Sequence, residues 1–227
     1  MTLLSGYFSE IPQAQTQAWG YRSGAWHNRR HNPVAVVWHT TGAGVVRRHK
    51  RNPKRWPSPF HAALWVFTKA IRAGPHMLIC GETGLAVQLA PIEISAWHVG
   101  RRKGWRYAKM WDRPRYNWWT DKWAQPGGIL SPYDLAGGRL WRGGECNPNT
   151  YGIEVSPNRK NPTGRWSDET YATIRGVAEI IESELDIPRS REFQLGHSDA
   201  HPIARTRRGQ GWDPSSRQFS WLDTLPK

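Results

Sequence analysis

Short apolar runs that end in a polar residue recur along the chain and predict buried strands of a sheet. In residues 34–42, β-branched residues and a Trp lead into His39, and a glycine turn follows. Residues 192–197 form a second run that also ends in histidine, at His197. Between them, residues 151–156 predict a strand in which Glu154 points opposite to its apolar neighbours. The pattern leaves open whether Glu154 faces solvent or a cleft.

Two stretches with helical spacing and one hairpin complete the pattern. Ser58 and Pro59 are typical of a helix start, and the helix should end before Gly74. Ser167 caps a second helix, which should end near residues 186–188. Residues 76–80 and 85–89 flank a glycine-bounded turn and predict a β-hairpin. The predicted core stripes of the two helices are Phe60, Ala63, Leu64, Phe67 and Ile71, and Tyr171, Ile174, Ala178, Ile181 and Leu185.

Composition limits the class of protein. The chain has 227 residues, enough for one domain with a real core, and two cysteines, too few for a disulfide framework. No apolar stretch is long enough to span a membrane, and the start of the chain does not resemble a secretory signal. The net charge of +14 favours a polyanionic partner, which could be nucleic acid, anionic lipid or the bacterial envelope.

Two segments concentrate the positive charge. Residues 47–55 hold six cations and predict a solvated loop, either merely soluble or in contact with a polyanion. Residues 101–148 mix Arg and Lys with Trp and Tyr and predict a folded insertion that rims a binding groove. Residues 1–33 predict an extension packed on the domain, which would span 34–227.

Four residues could form a metal centre. Catalytic zinc needs three protein ligands and an open position for water, and His39, His197 and Asp213 meet that need. Glu154 could then accept the proton of the water as a carboxylate that does not bind the metal. The spacing by itself carries little weight, and His76 and His201 remain alternative ligands.

Several motifs in one order strengthen this hypothesis. The chain contains Val-Val-Trp-His-Thr-Thr-Gly, Pro-His-Met-Leu-Ile, Gln-Leu-Ala-Pro, Ala-Trp-His-Val-Gly, Tyr-Gly-Ile-Glu-Val, Leu-Gly-His-Ser-Asp and Asp-Pro. This series resembles the zinc-dependent N-acetylmuramoyl-L-alanine amidases of type 2, which share a fold with the peptidoglycan recognition proteins. The resemblance covers roughly residues 34–222, apart from the insertion.

The resemblance implies an α/β fold, with a mixed central β-sheet flanked by helices. It also implies cleavage of the amide between N-acetylmuramic acid and L-alanine in peptidoglycan. By matched position, His39, His197 and Asp213 would hold Zn²⁺, and Glu154 would be catalytic. Trp97 and His98 would line the substrate groove, together with His76 and Thr40.

Two positions depart from the family pattern. Relatives often carry a Lys two residues before the third ligand, where this chain has Gly211, and some carry a Tyr where it has Pro75. Arg207 or Arg208 could supply the missing cation to the oxyanion of the transition state.

The functional hypotheses are therefore ranked. We expect a bacteriolytic amidase, a phage endolysin or an injected wall-degrading protein, which acts on the cell wall as a monomer without a signal peptide. Anionic envelope polymers would be additional partners. A non-catalytic peptidoglycan-binding module is the main alternative, and a cytoplasmic recycling amidase explains the charge less well. A specific nucleic-acid binder is disfavoured, because no standard module for that function occurs in the sequence.

Overall fold

The computed structural model describes residues 8–12, 27–70, 74–99, 139–140, 146–200, 214 and 218–219. In chain order the strands are β1 (His27–Asn28), β2 (Ala35–Thr40), β3 (Met77–Ile79), β4 (Ala86–Gln88), β5 (Ile94–Ser95), β6 (Thr150–Val155) and β7 (Gln194–Gly196). The α-helices are α1 (Ala43–Arg51), α2 (Pro59–Trp65), α3 (Asp168–Leu185) and α4 (His197–Ala200). A π-helical turn, Val66–Ala70, continues α2, and the 3-10 turn Asn147–Asn149 leads into β6.

Five strands form one mixed sheet in the order β4-β3-β6-β2-β7. Strand β6 is central and runs parallel to both β2 and β3, and β7 runs parallel to β2. The β3–β4 pair is antiparallel and is the predicted hairpin. The predicted α/β class, a mixed central sheet flanked by helices, is therefore confirmed.

The two faces of the sheet are covered by different elements. On one face, side chains such as Trp38 and Ile153 pack against the apolar stripe of α3. On the other face, Leu78 of β3 packs against α1 and α2 through Val45 and Phe60. Alternation along β2 and β6 places His39 and Glu154 on this second face, so α3 packs on the face opposite to them.

The helix ends follow the predicted signals. The Ser58 and Ser167 side chains accept the N–H groups of His61 and Thr170. Helix α3 ends at Leu185, the C-cap residue Asp186 has a positive φ of 55°, and Pro188 follows shortly after. Ile71, the last residue of the predicted α2 stripe, lies outside the described residues.

One sequence-based expectation was wrong. Much of the cationic stretch 47–55 belongs to α1, which extends to Arg51 instead of forming a loop. Val45 is buried against α2, so one face of the helix has a hydrophobic partner. The cations of the segment are all exposed, and long cationic side chains are good helix formers.

Residues of the predicted N-terminal extension contact the domain where they are described. Phe8 and Ile11 are buried in the core cluster on the α3 face of the sheet. The Gln88 side chain donates to the carbonyl groups of both residues, and β1 pairs with β5. Among the described helices, none is both long and apolar enough to cross a bilayer.

Gly84 in the hairpin turn should be intolerant of a side chain. Its φ is +70°, and a Cβ atom would lie 2.6 Å from the Glu169 carbonyl oxygen. We expect Gly84→Ala to destabilise the protein by about 2 kcal/mol, because strain in the left-handed region adds to this clash. Urea denaturation would measure the change.

Gly176 in the middle of α3 provides the matched control. A Cβ atom there would meet nothing within 4 Å. We expect Gly176→Ala to stabilise the protein by about 0.5–1 kcal/mol through helix propensity. Equal effects of the two substitutions would contradict the assigned turn.

Candidate active site

Three predicted site residues meet at the carboxyl edge of the parallel strands. His39 lies near the end of β2, Glu154 near the end of β6, and His197 directly follows β7. His39 and Glu154 are register partners on adjacent strands, so their side chains leave the sheet side by side on one face. Ligand sites of open parallel sheets form at this edge.

His39 and His197 approach each other through equivalent ring nitrogens. Their Nδ1 atoms lie 2.9 Å apart although the residues are separated by 158 positions in the chain. Both side chains are buried, and their rings meet edge to face. At this distance one Nδ1 donates a hydrogen bond to the other in the metal-free protein. Two imidazole nitrogens placed this close could serve as ligands of a transition metal once neither carries hydrogen.

His98 contacts His39 from the opposite side of the ring. Its Nδ1 lies 3.0 Å from His39 Nε2, and its own Nε2 lies 3.1 Å from the Thr150 hydroxyl oxygen. Desolvation, followed by the neighbouring His39, lowers the pKa of His98 well below its usual value. The ring is therefore neutral at neutral pH, with one nitrogen that donates and one that accepts.

His76 is enclosed by the protein. The Gly152 N–H donates to its Nδ1 at 2.9 Å, and its Nε2 lies 2.8 Å from the Ile94 carbonyl oxygen. Its ring stacks on Tyr151 with a centroid distance of 4.4 Å. Desolvation, followed by the charge of Arg29, lowers the pKa of His76 well below its usual value. Both ring nitrogens thus contact main-chain atoms, an arrangement typical of a structural histidine.

The two other residues expected at the substrate groove have the same intermediate exposure as His98. Trp97 and Thr40 are half-buried. The Thr40 hydroxyl donates to Gln218 Oε1 at 3.4 Å, and the Trp97 carbonyl accepts the N–H of Gly74.

Arg29 is a structural centre that the sequence-based reasoning missed. Its guanidinium is buried and donates to the carbonyl groups of Ile92, Asn147, Pro148 and Thr150. Its Nη2 also lies 2.7 Å from His76 Nε2. Burial lowers the pKa of Arg29 to about 9, so the side chain keeps its charge at neutral pH. One Arg in a basic extension gives no sequence signal for this role.

The described residues do not by themselves form a metal site. Within residues 27–99 and 146–200, no group of three His, Cys, Asp or Glu side chains is arranged to hold a metal ion. The facing nitrogens of His39 and His197 suit two zinc ligands. The third expected ligand, Asp213, lies outside the described residues, as do His201, Arg207, Arg208, Gly211 and most of the 101–148 insertion.

Comparison with protein families gives one match. The family model described as N-acetylmuramoyl-L-alanine amidase matches residues 29–216 and confirms the resemblance carried by the motifs. The match includes Arg29 and every predicted site residue. No curated protein matches the chain.

A solved structure similar to this chain supports the fold, and two further matches are more distant. A crystal structure of a selenomethionine AmpD derivative is 18% identical with a TM-score of 0.50, and the match covers 99% of this chain and 97% of that one. PlyL is 14% identical with a TM-score of 0.37, over 81% and 82% of the two chains. The PlyG catalytic domain is 12% identical with a TM-score of 0.34, over 81% and 79%.

The Cys146 thiol, next to Thr150, should react only at high pH. Burial raises its pKa to about 12. At pH 8.5 roughly one native thiol in 3000 would be ionised, against about half in the unfolded chain, and the thiolate is the reactive form. In a Cys80→Ala variant, labelling by a thiol reagent should rise about tenfold per pH unit. Fast labelling of the native variant at pH 8.5 would contradict the burial of Cys146, and the guanidinium-unfolded variant is the control.

Proposed function

The chain belongs to the N-acetylmuramoyl-L-alanine amidase family, and from that premise we propose that it is a zinc-dependent enzyme that acts on bacterial peptidoglycan. The bond cleaved would be the amide between the lactyl group of N-acetylmuramic acid and L-alanine. One observation carries the proposal: the facing Nδ1 atoms of His39 and His197 lie at the strand edge where Glu154 is the register partner of His39.

We propose His39, His197 and Asp213 as the zinc ligands. The first two residues support this by their geometry, and Asp213 by its matched position in the family. Two neutral imidazoles and one carboxylate leave a fourth position open, as catalytic zinc requires. When bound, the zinc ion would polarise the scissile carbonyl and lower the pKa of a water molecule.

Glu154 is proposed as the general base. Its strand places it beside His39, on the face of the sheet that is not covered by α3. It would accept the proton of the attacking water and return it to the nitrogen of the leaving alanine, which balances the hydrolysis. Arg207 or Arg208 would stabilise the oxyanion in place of the family lysine.

Substrate contacts are proposed for the groove beside this edge. Trp97 offers an aromatic surface for a sugar ring or a peptide, and Thr40 offers a hydroxyl group. The enclosure of His76 and the contacts of His98 support structural roles for these two histidines instead of the substrate contacts expected from the sequence.

The charge pattern supports an enzyme that works at an anionic cell envelope. All six cations of residues 47–55 are exposed on α1 and the following loop: Arg47, Arg48, Lys50, Arg51, Lys54 and Arg55. The Arg48 and Arg55 guanidinium groups lie 5.3 and 5.4 Å from the Trp65 ring centroid, and Trp56 packs beside it. We call this the cationic surface. It suits phosphate-bearing wall polymers, which fits a bacteriolytic role as a phage endolysin or an injected lysin acting as a monomer.

Digestion of purified peptidoglycan tests the enzymatic proposal. We expect stem peptides with a new N-terminal alanine in the mass spectrum, lost with a zinc chelator and restored by zinc. Glu154→Gln should lower the rate at least 100-fold, because the amide cannot accept the proton.

Glu184→Gln, on the exposed surface of α3, is the matched control and should leave the rate unchanged. Intact peptidoglycan that still binds the protein would instead identify a non-catalytic wall-binding module. Equal activity of the Glu154→Gln variant and the wild type would exclude Glu154 as the base.

Binding to teichoic-acid-bearing walls tests the cationic surface. We expect Arg47→Gln/Arg51→Gln to weaken wall binding several-fold and to reduce its salt dependence, because two phosphate contacts are lost. Lys160→Gln/Arg175→Gln removes the same net charge from exposed positions outside this surface. Equal losses in a sedimentation assay would show that only net charge matters.

A further inference from the structure

Three hydrogen bonds form a continuous chain from the Cys146 carbonyl through Thr150 and His98 to His39. The Thr150 hydroxyl donates to the Cys146 carbonyl oxygen at 3.0 Å. The Thr150 oxygen lies 3.1 Å from His98 Nε2, and His98 Nδ1 lies 3.0 Å from His39 Nε2. A hydroxyl group has one hydrogen to donate, and so has a neutral imidazole, so the direction of one hydrogen bond fixes the direction of the next.

The Cys146 carbonyl fixes the direction of the chain. A carbonyl oxygen can only accept, so the single hydroxyl hydrogen of Thr150 is committed to it. The Thr150 oxygen can then only accept from His98, whose hydrogen must lie on Nε2. A His98 ring whose one hydrogen lies on Nε2 accepts at Nδ1, so the hydrogen of His39 must lie on Nε2. This tautomer directs the Nδ1 lone pair of His39 toward His197.

The surroundings hold His98 in this position. A Cβ atom on Gly152 would lie 2.3 Å from His98 Cγ, so only glycine lets the ring lie directly on β6. The Asn147 carboxamide oxygen accepts the N–H groups of both His98 and Val99, which fixes the main chain of this segment. Thr150 itself is buried in β6.

We propose that Thr150 and His98 are positioning residues that hold His39 in the tautomer competent to bind zinc through Nδ1. The inference rests on the proposed function for the identity of the metal, whereas the tautomer is a property of the metal-free protein. Partners that fix the orientation of a metal-binding imidazole typically change metal affinity by about 10- to 100-fold when they are removed.

The first test is long-range ¹H–¹⁵N NMR of the metal-free full chain, with the histidines assigned by substitution. We expect hydrogen on Nε2 of both His39 and His98. Hydrogen on Nδ1 of either ring would mean that the chain runs in the opposite direction, and this result would overturn the proposal.

The second test is zinc affinity, measured by competition with a chelating dye. Thr150→Val keeps the β-branched shape but removes the acceptor, and we expect the zinc Kd to rise about tenfold. Thr150→Ser keeps the hydroxyl group and should restore the wild-type Kd. His98→Leu should weaken binding by about 10- to 100-fold.

Thr170→Val is the matched control. The Thr170 hydroxyl is also buried and also donates to a cysteine carbonyl, that of Cys80, at 2.9 Å. Its loss should lower the melting temperature without changing the zinc Kd. Equal effects of Thr150→Val and Thr170→Val on zinc affinity would assign Thr150 a purely structural role and overturn the proposal.

The peptidoglycan digest separates the two hypotheses. A wild-type protein that digests nothing but whose zinc affinity depends on Thr150 would contradict the proposed function and support the hydrogen-bond chain. An active amidase whose zinc Kd is the same in the Thr150→Val variant would support the proposed function and contradict the hydrogen-bond chain.

Discussion

The parallel pairing of β2 with β6 is the constraint on which the site depends. Six consecutive residue pairs are in register, from Ala35 with Thr150 to Thr40 with Val155. Because side chains alternate along a strand, a slip of one residue would move Glu154 to the face covered by α3 and leave His39 without its carboxylate neighbour. The apolar residues on the α3 face hold this register, since the same slip would remove them from their contacts with α3.

Hydrogen bonds stabilise the carboxyl edge of the sheet in addition to the packing of the core. The Arg29 guanidinium donates to carbonyl groups of the loop before β5, of the turn before β6 and of the first residue of β6. A buried guanidinium is stable only when its donors are satisfied, and here main-chain oxygens satisfy them. The turn that Arg29 holds also carries Asn147 and Thr150, which contact His98. The N-terminal segment is thereby linked to the candidate site through hydrogen bonds and not only through packing.

Much of the architecture could be predicted because its signals are local. The β2 strand, the β3–β4 hairpin and the Ser58 and Ser167 caps depend on residues within a few positions of one another. The cationic segment was misjudged because its charge outweighed the two apolar side chains, Val45 and Val46, that pack α1 against the core. This packing forms only in the folded protein, where α2 contacts α1, because a nine-residue helix has little stability by itself.

The sequence by itself determined which residues end the strands, where two helices begin, and the family to which the chain belongs, because ordered motifs and short-range patterns carry that information. Only the tertiary structure decided that His39 stands beside Glu154, that His98 lies against Gly152, and that Arg29 is buried. These relations join residues far apart in the chain, through strand register and the direction of hydrogen bonds. No local pattern encodes either, because both depend on the free energy of the assembled sheet and not of any single segment.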